Sequence, residues 1–273
     1  KMKIFNPSRL QQLPDAVLFD TDNTLYPYDS THIVAQKAVK KKVVDTFSIK
    51  ANDFDKAFVR ARNDIQERLK GTASSHSRLL YMQRMLEIMG LGSQVLLALD
   101  LEQTYWRTFL SNAVLFEGVK ELLDDIRLCG IPTAIVTDLT AQIQFRKIVY
   151  FGLDHYFDHI VTSEEAGYDK PHKEPFVLAL EKMQPQGSCV WMVGDNPLND
   201  IQGAREAIDA VTFQKLHKGI KLGEGHAQPD ASFKNFIELK EFLSKLENKD
   251  MNLSYSTPDL VLVDISGLGQ DVK

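Results

Sequence analysis

The segment Ala16–Leu25 reads Ala-Val-Leu-Phe-Asp-Thr-Asp-Asn-Thr-Leu and joins a short apolar run to a cluster of acidic and hydroxyl side chains. The run Ala16–Phe19 has the length and the composition of a buried strand. Asp20 and Asp22 follow it directly, so both side chains can reach one site at the end of that strand. Turn formation or helix capping is the ordinary alternative for carboxylates in such a position.

Two different patterns follow this segment. From about His32 to Leu110 the sequence is charged, poor in Gly and helical in its spacing. Farther on, helical segments alternate with short apolar runs that favour strands, namely Thr133–Val136, His159–Thr162, Cys189–Val193 and Ala210–Phe213. Such alternation implies a parallel sheet covered by helices on both faces. The predicted fold is therefore a doubly wound, Rossmann-like α/β core with an all-helical insert after its first strand.

The domain organisation predicted from these patterns has three parts. Residues 1–25 and 114–247 form the α/β core, and residues 26–113 form the helical insert. Within the core, the late helices are predicted over Asp200–Ala207 and Phe233–Leu246. Residues 248–273 are a tail of unknown role, in which Leu260–Asp264 has the composition of a possible edge strand.

Composition excludes several classes of protein. The 273 residues carry 32 Lys and Arg against 37 Asp and Glu, a formal net charge of −5, so the chain lacks the basic surface of a general nucleic-acid binder. Two cysteines, Cys129 and Cys189, are too few for a disulfide framework or a cysteine zinc site. No apolar run approaches the ~18 residues of a membrane span. We expect a cytoplasmic protein that binds neither nucleic acid nor membranes; its oligomeric state is left open.

The later strands of the predicted sheet are also followed by polar side chains, namely Thr137, Asp138, Lys170, Asp195 and Asp200. Ligands of doubly wound sheets bind beyond the carboxyl ends of the strands, so these groups should share one site with Asp20 and Asp22. Several carboxylates in one site are costly unless a cation neutralises them, and oxygen ligands alone indicate Mg²⁺. Lys170 and Thr137 add a positive charge and a hydroxyl, which suit a phosphate. A carboxylate beside a metal-bound phosphate can act as a nucleophile.

Four short motifs, taken in order, resemble those of the haloacid dehalogenase superfamily. They are Phe19–Leu25, Val136–Asp138, Lys170-Pro171 and Gly194–Asp200. The resemblance spans roughly Ala16–Leu246. It implies a core of the predicted kind, phosphoryl or halide chemistry on an aspartate, a Mg²⁺ cofactor and a cap domain placed between the first two motifs.

The resemblance also implies roles for single residues. Asp20 is expected to be the nucleophile and a Mg²⁺ ligand, and Asp22 the general acid and base that also binds Mg²⁺ through its backbone carbonyl. Thr137 is expected to bind the transferring phosphoryl group, and Lys170 to pair with its charge and with Asp20. Asp195 and Asp200 complete the predicted metal site, Asp195 as a direct ligand and Asp200 by orienting a water ligand or Lys170. Thr24 is expected to support the first loop beside the substrate.

Two positions of the motifs refine this expectation. Members of the superfamily that act on halides lack an acid at the position of Asp22, so its presence favours C–O–P chemistry. Asp138 stands where many members carry Asn. We place it among the substrate-side residues, either as a loop hydrogen-bonding group or as a group that reshapes the phosphate pocket.

The helical insert resembles the cap domains of this superfamily, which close over the site and select the substrate. His76 and Arg78 lie in a polar cluster after a Gly break and can contact a polar or anionic end of the substrate. Trp106, beside Tyr105, can supply an aromatic wall. The alternatives are a loop or capping role for His76 and a place in the core of the insert for Trp106.

The function predicted from the sequence is a Mg²⁺-dependent phosphatase that hydrolyses a small phosphomonoester through an aspartyl-phosphate intermediate. Its substrate is expected to be a sugar phosphate, a sugar-acid phosphate or a nucleoside monophosphate. A phosphosugar mutase of the same superfamily is the enzymatic alternative. A non-catalytic phosphate-binding or scaffold protein on the same fold is the alternative from another class.

Overall fold

The computed structural model describes residues 1–254, with side chains through residue 249. The possible edge strand at Leu260–Asp264 lies outside the described residues. None of the described helices combines the length and the apolarity needed to cross a bilayer.

A seven-stranded sheet forms the centre of the molecule, with the strand order β1-β7-β6-β5-β2-β3-β4. The strands are β1 (Lys3–Ile4), β2 (Ala16–Phe19), β3 (Thr133–Thr137), β4 (His159–Thr162), β5 (Val190–Gly194), β6 (Val211–Lys215) and β7 (Ala231–Phe233). Strands β2 to β7 pair in parallel, whereas β1 pairs antiparallel with β7. The predicted doubly wound α/β core is therefore confirmed, with one short antiparallel strand added at its edge.

Helices cover both faces of this sheet because successive residues of a strand point to opposite sides. Val17 and Phe19 of β2 belong to one buried apolar cluster, and Ala16 and Leu18 belong to the other. The core helices are α5 (Val119–Leu128), α6 (Ala141–Tyr150), α7 (Ser163–Ala166), α8 (Glu174–Met183), α9 (Gly203–Ile208) and α10 (Phe236–Ser254). Residues of α5 and α10 join the first cluster, and residues of α8 and α9 join the second.

Two core segments differ from the prediction. Phe233 is the last residue of β7, and α10 begins only at Phe236, because an apolar run beside a helical pattern does not show where the strand ends. The predicted helix Asp200–Ala207 is split into a π-helical turn over Pro197–Gln202 and the short helix α9. Helix α10 also extends through residue 254, beyond the predicted helix end at Leu246.

Four helices form the insert between β2 and α5, and we call them together the helical insert. They are α1 (Tyr28–Phe47), α2 (Ala51–Arg68), α3 (Arg78–Ile88) and α4 (Val95–Asn112). The backbone N–H of Phe116 donates to the carbonyl of Leu25 at 2.9 Å, so the segments that enter and leave the insert meet. The boundaries predicted for the cap domain, residues 26–113, stay a prediction.

Candidate active site

The first residue after β2, Asp20, is held at both of its carboxylate oxygens. Oδ1 accepts a hydrogen bond from the Lys170 ammonium at 2.8 Å, and Oδ2 accepts one from the Thr24 hydroxyl at 2.8 Å. The Asp20 side chain is buried at the wall of a cavity. This carboxylate therefore has one fixed orientation. Thr24 acts on it directly, being buried beneath Asp20 rather than placed on the cavity wall.

Lys170 joins three strand ends through its buried ammonium. It donates to Asp20, to Asp200 Oδ1 at 2.6 Å and to the carbonyl oxygen of Val136 at 3.0 Å. Burial acts against the charged form, but the Asp20 and Asp200 carboxylates outweigh it and raise the Lys170 pKa well above its ordinary value. The raised pKa favours the charged form of Lys170 beside Asp20.

Three carboxylates, those of Asp20, Asp195 and Asp200, converge so that one oxygen of each lies within 4.8 Å of the others. Asp200 is fixed by the backbone N–H groups of Asp195 and Asn196, at 3.1 and 3.0 Å. Burial raises the Asp20 pKa to about 7 despite the ion pair with Lys170. Burial, together with the charges of Asp200 and Asp20, raises the Asp195 pKa to about 9. A cluster that resists ionisation in this way is one that a divalent cation stabilises.

The Asp22 carboxylate lies outside this group of three, because it is paired with Lys147 of α6 and with Tyr26. It accepts hydrogen bonds from the Lys147 ammonium at 2.9 and 3.1 Å and from the Tyr26 hydroxyl. Burial raises the Asp22 pKa, but the Lys147 charge and these hydrogen bonds outweigh it, so the pKa lies below its ordinary value. A metal role for Asp22 would thus fall to its backbone, which is what the resemblance implies.

Lys147 is a residue that the sequence reasoning missed. It lies on α6, and its side chain is 2% exposed. Its ammonium is 5.4 to 5.8 Å from the ring centres of Tyr26, Tyr28, Trp106 and Phe109. The sequence does contain one indication that Lys147 is buried: it lies next to Ile148 and four residues after Ile143, on the apolar side of the helix. A lysine on an apolar stripe either extends to solvent or pairs with a buried acid.

The segment after β3 supports the same centre. The Thr137 hydroxyl lies 2.7 Å from the Thr21 hydroxyl, and the Thr137 side chain reaches the cavity wall. Asp138 Oδ1 accepts the backbone N–H of Lys170 at 2.9 Å, which ties this segment to the loop that carries the lysine. Burial raises the Asp138 pKa to about 6. Asp138 was expected either to make a hydrogen bond within a loop or to reshape the phosphate pocket, and the structure shows the first of these contacts.

A cavity of about 370 Å³ lies between the sheet edge and the insert. Both His76 and Arg78 line it, and His76 Nε2 lies 3.1 Å from Asp169 Oδ2 in the loop before Lys170. Trp106 is 4% exposed and packs inside the insert, so the structure corrects its predicted place on the cavity wall. Its helical spacing with neighbouring aromatic residues of α4 explains the burial, because they form the inward face of that helix.

Further lining residues come from α1 and α2 and were not predicted, namely Tyr28, Asp29, His32, Phe58, Arg62 and Gln66. Nothing in their spacing distinguishes them from other polar or aromatic residues of two long helices. Only the packing of the insert over the sheet edge shows which helix face meets the cavity.

Comparison with known proteins agrees with this geometry. A family model described as haloacid dehalogenase-like hydrolase matches residues 14–207. A ribulose-1,5-bisphosphate 5-phosphatase of Halopiger xanaduensis is 36% identical over 200 residues, which cover 72% of this chain and 84% of that protein. A glyceraldehyde 3-phosphate phosphatase of Methanopyrus kandleri is 27% identical over 192 residues, which cover 70% of this chain and 80% of that protein. The structure of a 2-haloacid dehalogenase of Pseudomonas syringae covers 85% of this chain and 99% of its own, with a TM-score of 0.67 and 23% identity.

Proposed function

Because the chain belongs to the haloacid dehalogenase-like hydrolase family, we propose that it is a Mg²⁺-dependent phosphatase that acts on a small sugar phosphate. The broader prediction, an enzyme that hydrolyses phosphomonoesters, is confirmed by the family match and by relatives that are phosphatases. The sugar phosphate as substrate class is supported by the names of those relatives. The observation that carries the proposal is Asp20, fixed at both oxygens beside a buried lysine and two further carboxylates.

In the proposed first step, an oxygen of Asp20 attacks phosphorus while the bond from phosphorus to the ester oxygen breaks. Lys170 and Thr24 hold the attacking carboxylate in place, which removes the entropic cost of orienting it during the reaction. The Lys170 ammonium also faces the negative charge that spreads over the phosphoryl oxygens. The Thr137 hydroxyl at the cavity wall is placed to donate a hydrogen bond to one of them.

Proton transfer is assigned to Asp22. Its side chain lines the cavity and is partly exposed, so it can reach both a leaving oxygen and a hydrolytic water. Hydrolysis of the aspartyl-phosphate needs a base, and the lowered pKa keeps Asp22 ionised for that step. Protonation of the leaving oxygen is the more demanding of its two tasks, because the ion pair with Lys147 disfavours the acid form.

The donor set fits Mg²⁺. Its side-chain donors are all carboxylate oxygens, which hard cations prefer, and the raised pKa values of Asp20 and Asp195 indicate unneutralised negative charge. Asp20 and Asp195 would hold the ion, with Asp200 beside them. Bound there, Mg²⁺ supplies positive charge that neutralises the phosphoryl group.

The test is phosphate release from a panel of sugar phosphates, sugar-acid phosphates and nucleoside monophosphates. Release should require Mg²⁺, stop with a chelator and be lost in Asp20→Asn. The matched control is Asp154→Asn, which removes an exposed carboxylate away from the cavity and should leave the rate unchanged. Two results would contradict the proposal: no release by folded, Mg²⁺-supplied protein, or an isomerised sugar phosphate without free phosphate, which indicates a mutase.

A further inference from the structure

Arg78, the first residue of α3, is a buried cation held mainly by aromatic rings. It is 9% exposed, and its guanidinium carbon lies 5.3 Å from the ring centres of Tyr81 and Tyr105 and 5.7 Å from that of Trp106. Stacking on aromatic faces stabilises a guanidinium and fixes its plane. The charge of Arg78 is therefore held rigidly.

The hydrogen-bond partners of Arg78 are all neutral. Its guanidinium donates to the Tyr28 hydroxyl and to the backbone carbonyl of His76. Its Nε is buried and has no acceptor among the described residues. In that same part of the chain, no carboxylate lies within salt-bridge distance of Arg78, and the nearby Asp22 is already paired with Lys147.

A buried guanidinium without a counterion is energetically costly, because arginine does not lose its proton in proteins. Such a charge is retained when another group neutralises it in the working state. Arg78 lines the same cavity as Asp20, and Arg62 on α2 also lines it, so a ligand in the cavity can supply the missing anion. Pockets of a few hundred Å³ accept small metabolites, and this cavity of about 370 Å³ has room for a phosphorylated sugar.

We propose that Arg78 anchors a second anionic group of the substrate, a phosphate or a carboxylate, while the scissile phosphate lies at Asp20. This inference rests on the proposed function and narrows its substrate class to sugar phosphates with a second oxyanion. Phosphate and carboxylate share the chemistry that matters here, since both accept paired hydrogen bonds from a guanidinium. Arg62 adds positive charge to the same wall.

The test compares three substrates: ribulose 1,5-bisphosphate, ribulose 5-phosphate and 6-phosphogluconate. We expect kcat/KM for a substrate with the second oxyanion to exceed that for ribulose 5-phosphate by about tenfold to a hundredfold, the value of one charge-assisted contact. Preference for the bisphosphate assigns a phosphate to the subsite, and preference for 6-phosphogluconate assigns a carboxylate.

The decisive variant is Arg78→Met, which keeps a long side chain between the aromatic rings and removes the charge. The preference should disappear, mostly through a higher KM for the substrate with the second oxyanion, while ribulose 5-phosphate hydrolysis changes little. Arg84→Met is the matched control on the same helix, because Arg84 is paired with Asp64 and Glu87 outside the cavity. It should keep the preference.

Two results would overturn the role of Arg78 without touching the proposed function. One is an unchanged preference in folded Arg78→Met; the other is an equal loss of kcat/KM on all three substrates. If the wild type releases phosphate neither from these three nor from any member of the wider panel, the proposed function fails instead. The subsite is then tested alone, by comparing thermal stabilisation of wild type and Arg78→Met with the bisphosphate and with ribulose 5-phosphate. If Arg78→Met does not fold, Arg78→Lys replaces it. Lysine keeps the positive charge but lacks the planar guanidinium that donates paired hydrogen bonds, so the preference for the substrate with a second oxyanion should still fall.

Discussion

The ion pair between Lys147 and Asp22 joins helix α6 to the loop after β2, and replacing Lys147 with Met tests how much the pair contributes to stability. Removing one partner of a fully buried ion pair costs about 3–5 kcal/mol, whereas an exposed pair contributes about 0.2–1 kcal/mol. The Lys147 side chain is 2% exposed and that of Asp22 is 31% exposed, so the pair lies between these limits. Met refills most of the space among the aromatic rings, so little cavity cost is added. We expect Lys147→Met to lower the free energy of unfolding by about 2 kcal/mol.

Urea unfolding followed by tryptophan fluorescence measures this change, and at this size about 2 kcal/mol lowers the melting temperature by about 4–8 °C. The matched control is Lys182→Met, because the Lys182–Glu165 pair is similarly short at 2.6 Å but is 28% and 46% exposed. It should cost less than about 1 kcal/mol. A double-mutant cycle with Asp22→Asn isolates the pair itself.

In the Asp22→Asn background, Lys147→Met should cost little or should stabilise, because it then removes a buried cation that has no partner. The reasoning is refuted if Lys147→Met costs no more than Lys182→Met. It is equally refuted if Lys147→Met costs the same with and without the Asp22 carboxylate.

Three further outcomes are expected for stability. Without divalent metal, stability should fall as pH rises from about 4 to about 9, because the pKa values of Asp20 and Asp195 rise from 3.8 to about 7 and about 9 on folding; thermal unfolding in chelator at pH 5 and pH 8 checks this, and a melting temperature that rises with pH contradicts it. Gly118→Ala should destabilise by at least about 2 kcal/mol in urea unfolding, because Gly118 has φ +85° and a Cβ would lie 2.9 Å from the backbone nitrogen of Ile237. Asp200→Asn should lower the free energy of unfolding by at least about 2 kcal/mol and should lower phosphate release, because a buried carboxylate that accepts from three donors becomes a neutral amide. An unchanged urea midpoint would contradict the expected loss of stability.

The centre of the site follows from the sequence because it depends on rules local to the strands. Asp20, Thr137 and Asp195 come at the ends of strands β2, β3 and β5, and parallel strands bring those ends to one edge. Lys170 needs only the following Pro171 and the order of the motifs to be placed. Their position at one edge of the sheet is therefore a consequence of alternating strands and helices.

The surroundings of the site depend on packing between segments that are distant in sequence. Lys147 faces Asp22 only because α6 packs beside the loop after β2, and Trp106 points inward only because α4 lies against its neighbours. The absence of an acidic partner for Arg78 within the described residues is a property of the assembled insert, and no local pattern contains it. Strands β1 and β7 were missed because two or three residues are too few to show a period.

The hydrogen bond between Leu25 and Phe116 has a consequence for the order of folding. Strands β2 and β3 are neighbours in the sheet, but the whole insert separates them in the chain, so their pairing closes a very long loop. The entropy lost in closing a loop grows with its length, and such contacts slow folding. An insert that folds first brings its own two ends together and reduces that loop to a short one. We therefore expect helices α1 to α4 to form before β2 and β3 pair, with the sheet completed around ends that are already adjacent.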